Sequence, residues 1–292
     1  MIHAVQTFGL ILVQLLVLFS LISVLVALVN RRFGPDRIQS WMADGRLPGP
    51  LKGLLLGAIT PFCSCSTLPV LAGMLKSGVA FRTSMTFLIS SPLLDPIIVA
   101  GVVLLFDWRI ALVYTVVTAA WSLLAPLVWE RLGMASQLKR VKVVGDDSTP
   151  HPWAGLRNEI RPALGEAWAD LRPLLVPMVL GVSVGAFIYG FVSQDQLAAV
   201  AGDDKPWAVP LAAVLGVPLY VRIETMLPIG LALSSTGMGL GAVFALMIGG
   251  AGASIPEISM LTALFKPRLV VTFVVTVIGT AIAAGYLIPL IA

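Results

Sequence analysis

Both cysteines of the chain fall in one ten-residue run, Pro61-Phe62-Cys63-Ser64-Cys65-Ser66-Thr67-Leu68-Pro69-Val70. Two thiols one residue apart are soft ligands, suited to a thiophilic solute and poorly suited to an oxygen-loving ion. In extended chain Cys63 and Cys65 share a face, whereas on a helix they diverge by about 200°. The two prolines each remove a backbone N–H and weaken a helical ladder. The flanking sequence is apolar, so the backbone breaks at membrane depth, where this is tolerated only inside protein or beside a cavity. The run therefore reads as a binding site, with Cys63, Ser64, Cys65 and Ser66 as candidate substrate ligands. Ser66 or Thr67 is placed to cap an outgoing half-helix with Pro69 in its first turn. The positive end of that half-helix favours thiolate and burial opposes it, which leaves the resting protonation state open. No histidine joins the pair, since His3 and His151 lie outside the apolar segments. The pattern implies no resident metal and no cofactor.

Other chemistry-bearing residues recur in apolar surroundings. Ser90-Ser91-Pro92-Leu93-Leu94-Asp95-Pro96 and Gly249-Gly250-Ala251-Gly252-Ala253-Ser254-Ile255-Pro256-Glu257 each combine proline, small residues and one carboxylate, which predicts interrupted crossing helices. A further polar run holds Tyr220, Arg222, Glu224 and Thr225. An arginine at the bilayer centre costs about 2.5–3.5 kcal/mol and should have a partner, with Glu224, Glu257 and Asp95 as the candidates. Intramembrane carboxylates are proton-relay candidates by default. Asp95, Arg222, Glu224 and Glu257 are thus the expected charge-coupling set, converging near the midplane. Ser90, Ser91 and Tyr220 join the expected substrate-binding set.

These residues need a membrane frame, and the composition supplies it. Hydrophobic residues make up 58% of the chain and charged residues 12%, and the mean hydropathy is +0.96. Windows long enough to cross a bilayer run over Phe8–Asn30, Thr86–Phe106, Ile110–Leu132, Leu174–Val192, Ala242–Phe265 and Val270–Ala292. The first is too long for a cleavable signal and is followed by Arg31-Arg32, so it is expected to remain with its N-terminus outside. The net charge of +4 reflects basic cytoplasmic loops, and nothing points to nucleic acid.

Weak internal symmetry divides the chain. Phe87-Leu88-Ile89-Ser90-Ser91 aligns without gaps on Leu246-Met247-Ile248-Gly249-Gly250, and Asp95-Pro96 then falls beside Ile255-Pro256-Glu257 one residue out of step. Upstream, Ile59-Thr60-Pro61 matches Gly216-Val217-Pro218. If residues 53–75 and 207–233 both crossed fully, giving eight helices, the loop lysines and arginines would divide nine to nine. If both are re-entrant hairpins, sixteen face the cytoplasm and only Arg109 and Lys205 face outside, with Arg222 left in the membrane. The positive-inside tendency selects the hairpins. Leu51–Thr60 and Ser66–Leu75 then form the arms of the first, each about 15 Å or half the hydrocarbon thickness. Trp207–Val217 and Met226–Ser235 form the arms of the second, with Leu219–Thr225 as its tip.

The expected fold is therefore an all-α integral membrane protein of two inverted repeats, each with three transmembrane helices and one re-entrant hairpin. Residues 1–132 form the first repeat and 173–292 the second. Residues 133–172 form a cytoplasmic connector. In its second part Trp153, Leu156, Ile160, Leu164, Trp168 and Leu171 recur three or four apart, as on an amphipathic helix at the membrane surface.

Pro61-Phe62-Cys63-Ser64-Cys65-Ser66, Ser91-Pro92-Leu93-Leu94-Asp95-Pro96, Pro218-Leu219-Tyr220 and Ser254-Ile255-Pro256-Glu257 together resemble the predicted-permease family of YraQ-like proteins, which includes ArsP-type efflux permeases for trivalent organoarsenicals. The resemblance implies a secondary permease, not an enzyme. Its substrate would be a methylated or aromatic arsenical held by thiolates at Cys63 and Cys65. The expected function is export of a small thiophilic solute across a bacterial inner membrane, with N- and C-termini outside, a proton as the coupling partner and a homo-oligomer as one assembly. Alternatives are a permease for another sulfur- or selenium-like solute, a membrane thiol–disulfide oxidoreductase, and a subunit that needs a second chain. A disulfide across one intervening residue would be strained, which disfavours the oxidoreductase.

Overall fold

In the computed structural model the chain is described over residues 47–59, 64–139, 159–165, 207–218 and 238–291, with isolated helical positions at 17, 20, 21, 24, 25, 28, 168, 169, 171, 172, 175, 176, 230 and 231, and without the side chains of residues 64–66. The described chain is almost wholly helical. Four helical stretches are long and apolar enough to cross a membrane: Phe81–Leu105, Trp108–Arg131, Leu240–Leu264 and Pro267–Leu290. The protein is an all-α membrane protein.

The elements in chain order are α1 (Gly49–Ile59), α2 (Ser64–Lys76), α3 (Phe81–Leu93), α4 (Pro96–Leu105), α5 (Trp108–Arg131), α6 (Ala208–Gly216), α7 (Leu240–Gly252), α8 (Ile255–Leu264) and α9 (Pro267–Leu287). Their boundaries follow local chemistry. Pro96, Pro256 and Pro267 each lie in the first two positions of a helix, where the missing N–H removes no ladder bond. Gly78, after α2, and Gly133, after α5, have φ of 72° and 70°, a left-handed conformation that glycine adopts without a Cβ clash.

Two of the crossing stretches are broken, as their sequences predict. The first leaves helix at Leu94-Asp95 between α3 and α4, the second at Ala253-Ser254 between α7 and α8. Both are built of 13 residues and then 10. Adding 159 to the boundaries of α3 and α4, and to the start of α5, gives those of α7, α8 and the start of α9. The gapless alignment of Phe87–Ser91 on Leu246–Gly250 has this same offset. Leu93 and Gly252, equivalent under it, meet: a Cβ on Gly252 would stand 3.2 Å from Leu93 Cδ2.

The short helices lie along the broken ones. Gly53 packs on the Thr83 carbonyl, and Gly57 packs on Ser90 and Ser91, so α1 and α3 run in the same direction. α2 starts beside the end of α3, where Thr67 reaches Ser91, and returns to the start of α3 through the turn at Ser77–Ala80. In the second half Gly249 packs on the Ala213 carbonyl and Gly216 on Leu246 and Gly250, while Val209 lies near Gly285 and Gly285 near Gly241. α6 and α7 therefore also run in the same direction. Gly230 comes back against Val243 and Met247. Glycine at these contacts lets backbones approach closely, as helix pairs in membranes use small residues to do.

The core centres on α7, whose stretch is 83% buried against 39–50% for the other three. Phe244 stacks with Phe106 at 5.2 Å and faces Tyr114 at 6.1 Å between ring centroids. At one end of the bundle Arg82, at the start of α3, pairs with Glu130, at the end of α5, at 2.6 Å. There too the chain after α5 pairs with the turn between α8 and α9. Leu138 and Phe265 form an antiparallel bridge. Lys139 N donates to Leu264 O at 2.9 Å and Lys266 N to Gln137 O at 2.8 Å.

The connector helix is present over its described positions, but its faces divide differently from the expected pattern. Ile160, Leu164 and Trp168 are exposed, whereas Leu171 is buried along with Ala163 and Glu159. Spacings of four and then three carry Leu171 around the helix, onto the side that packs on protein.

Candidate functional site

The cysteine run enters α2 earlier than the capping pattern predicts. The helix begins at Ser64, so Ser64 and Cys65 are helical, and Pro69 sits inside the helix, not in its first turn. Thr67, expected as a cap alternative to Ser66, has another task. Its Oγ1 lies 3.0 Å from Ser91 Oγ, and both residues are fully buried. With that hydroxyl engaged across helices, the helix start falls to residues nearer the tip. Pro69 has no N–H to offer the Cys65 carbonyl, so the ladder has a gap at the cysteine.

Ser90 and Ser91 receive both α1 and α2. Gly57 on α1 touches Ser90, whose Oγ donates to Phe87 O at 3.3 Å within α3. Thr67 on α2 touches Ser91. Four residues after Ser91, Asp95 caps α4, its Oδ1 accepting from Ile97 N at 2.8 Å. An Asp at this position satisfies one orphan amide and complements the positive helix end. Tyr114 fastens the same break from α5, its hydroxyl donating to Leu93 O at 2.6 Å.

Glu257 differs from Asp95. It is the third residue of α8, 1% exposed, with both carboxylate oxygens enclosed. Ser254 at the N-cap makes no side-chain capping bond. α8 packs against α2, the helix that carries Cys65. The 159-residue offset pairs Asp95 with Ser254 and Glu257 with Ile98. The two prolines are thus one residue out of step, as the sequence reads, and the two carboxylates are not repeat equivalents: the helix boundaries hold the register.

Ser90, Ser91, Asp95 and Glu257 thus lie at or beside the two helix breaks, which meet at Leu93 and Gly252. Cys63, Tyr220, Arg222 and Glu224 lie outside the described residues, as do the side chains of Ser64, Cys65 and Ser66. The convergence expected of the charged set therefore falls outside them as well. Among the described residues no group of three or more His, Cys, Asp or Glu is arranged to hold a metal ion. Thr67 and Tyr114 are contacts that the sequence reading missed. A lone tyrosine in a lipid-length helix was the available signal, because its buried hydroxyl needs an acceptor.

Comparison with known proteins gives a consistent result. Residues 1–290 match a family described as predicted permease, ArsP_1. The UPF0718 protein YcgR of Bacillus subtilis is 22% identical over 276 residues, covering 92% of each chain. A Streptococcus mutans protein provisionally named as a two-component membrane permease complex subunit is 24% identical, over 83% of this chain and 80% of that one. The UPF0718 protein YraQ of Escherichia coli is 23% identical, over 84% of this chain and 69% of its own. No solved structure matches. With a family match over nearly its whole length and a relative named as a permease subunit, the chain belongs to the predicted permease family, whose members are transporters and not enzymes.

Proposed function

We propose that the protein is a secondary permease of two inverted repeats, exporting a small thiophilic solute from a midplane site where the two hairpin tips meet the two helix breaks. Trivalent organoarsenicals are the leading substrate class. Cys63 and Cys65 hold the solute, Ser64, Ser66, Ser90 and Tyr220 line the site, Ser91 is engaged by Thr67 behind it, and Glu257 with Arg222 and Glu224 carries the charge coupling to protons. Asp95 keeps its place at the break chiefly as a cap. The protein sits in the bacterial inner membrane with both termini outside.

The observation that carries this reading is the path of the first hairpin. α1 runs beside α3 from Gly53 at Thr83 to Gly57 at Ser90, and α2 starts at Ser91 and returns. Eleven residues span about 16 Å, half of a bilayer's hydrocarbon. An arm of that length that turns back beside Ser90–Ser91 supports a re-entrant hairpin with its tip at mid-depth.

Parity supports the inversion. Leu138 and Phe265 pair, so the chain between them crosses an even number of times. Leu174–Val192 is expected from its sequence to cross once and Leu240–Leu264 crosses a second time, so a full crossing by residues 207–233 would make three. An even count favours a second hairpin there. On the same path α3–α4 leaves the end marked by Arg82–Glu130 and α7–α8 returns to it, so the two hairpins enter from opposite faces. Half-helices whose ends meet at the midplane are how many secondary transporters build a site.

The test is to place single cysteines at Lys52 and Lys76 in a background lacking the native pair and label them from each side. Both should label from the cytoplasm. Labelling from opposite sides would restore eight full crossings and remove the site. The name of the Streptococcus mutans relative favours a second reading, a subunit that transports only with another chain. Export of a trivalent organoarsenical by the purified protein alone in liposomes would exclude it.

A further inference from the structure

We infer that Thr67 and Ser91 are a positioning pair that holds the first turn of α2 in the geometry needed for two thiols to grip one atom. The inference rests on the cysteine site proposed above and assigns to it residues that touch no solute. Thr67 Oγ1 and Ser91 Oγ are 3.0 Å apart, and both residues are fully buried. The contact sits two residues after Cys65 in the same helix. It engages α2 where Pro69 leaves the ladder short of a bond, so the helix's own hydrogen bonds hold this turn less firmly than the next.

The other arm of the hairpin bears on the same place, through Gly57 against Ser90. The helices on either side of the cysteine run thus both bear on one serine pair on α3. Among the described residues the second half shows no such tether. The residues equivalent to Ser90 and Ser91 are Gly249 and Gly250, which meet Ala213 and Gly216 by backbone packing. A hydroxyl at this place on the broken helix is therefore peculiar to the half that bears the thiols.

A chelating site needs this more than a single thiol does. Phenylarsine oxide condenses with two thiols: two As–S bonds form, the arsenic–oxygen bond is lost, and both thiol protons leave with the oxygen as one water. Arsenic stays trivalent, so no oxidant or reductant is required. The second As–S bond forms intramolecularly, at an effective concentration set by how closely the second sulfur is held. Alkylation of one thiol has no such requirement.

The experiment uses the full-length protein in nanodiscs. Graded phenylarsine oxide is added, remaining thiols are alkylated with N-ethylmaleimide, and the adducts are counted by mass. Thr67→Val and Ser91→Ala should each raise the concentration for half-protection by about tenfold, the scale of one buried hydrogen bond. Thr67→Ser should restore it, and the double variant should be no worse than either single one. The rate of alkylation without arsenical should change by less than about twofold, because one thiol needs no partner. Half-protection at the wild-type concentration in the two single variants would overturn the assignment, as would additive effects or a matching change in alkylation rate. If Thr67→Val fails to fold, Ser91→Ala decides the question alone. An unprotected wild type would instead overturn the chelating site itself, and the positioning role with it.

Discussion

Adding one methyl group at Gly57 tests the packing that aims the hairpin. A Cβ there would stand 3.0 Å from Ser91 N and 3.2 Å from Ser90 Cβ, against ordinary contact beginning near 3.4 Å, and it would collide outright with Ser90 Oγ. The hydroxyl can rotate away, but the backbone nitrogen can yield only if α1 and α3 separate. Overpacking of this kind costs about 1–3 kcal/mol. Separation also strains the Thr67–Ser91 contact, worth about 1 kcal/mol. Against this, alanine gains about 1 kcal/mol over glycine in a helix. The expected net loss for Gly57→Ala is about 1–3 kcal/mol, read as a lowered thermal midpoint of the purified protein together with weakened protection by phenylarsine oxide. Gly165→Ala is the control, since its Cβ would meet nothing within 4 Å, and it should be neutral or stabilising. Gly57→Ala with wild-type stability and protection would refute the close approach from which the hairpin path is argued.

Two other substitutions separate structural from coupling roles. Tyr114→Phe removes the donor to the buried Leu93 carbonyl and should cost about 1–3 kcal/mol, measured by thermal unfolding; an unchanged midpoint would mean that the bond does not hold the break. Glu257→Gln should abolish the dependence of export on a proton gradient while arsenical binding persists, whereas Asp95→Asn, which retains a capping oxygen, should leave that dependence intact. Loss of coupling in Asp95→Asn alone would reverse these roles.

The broken helices were legible because prolines and small residues interrupt otherwise apolar windows. Their register was legible too, since Phe87–Ser91 on Leu246–Gly250 carries the offset that the helix boundaries keep. The extents of the short helices α1 and α6 were legible to within two residues, because prolines and charges bound them. The start of α2 was misplaced because local capping preference favours Ser66 or Thr67, while the structure uses the Thr67 hydroxyl between helices. That choice depends on what stands 24 residues away, which no local pattern records. Likewise Asp95 and Glu257 look alike as acids beside prolines. Only the positions of the helix starts separate a cap from an enclosed carboxylate. The pairing of Leu138 with Phe265 had no signal, because backbone hydrogen bonds carry it and any side chain could stand there.

That pairing bears on the order in which the chain can be assembled. Leu138 and Phe265 are 127 positions apart, which at about 5–20 residues per second is a delay on the order of ten seconds during synthesis. For that interval the end of α5 has emerged while its fastening is still unmade. The first half must then rely on contacts completed within itself, the ion pair of Arg82 with Glu130 and the bond of Tyr114 to Leu93 among them. When the turn between α8 and α9 arrives, it closes onto a half already standing, and α9, which follows it, is set against α5 through Trp129 and Thr276. A nascent chain stopped before residue 265 would therefore hold α1 and α2 in place against α3 yet leave the ends of its two halves unjoined.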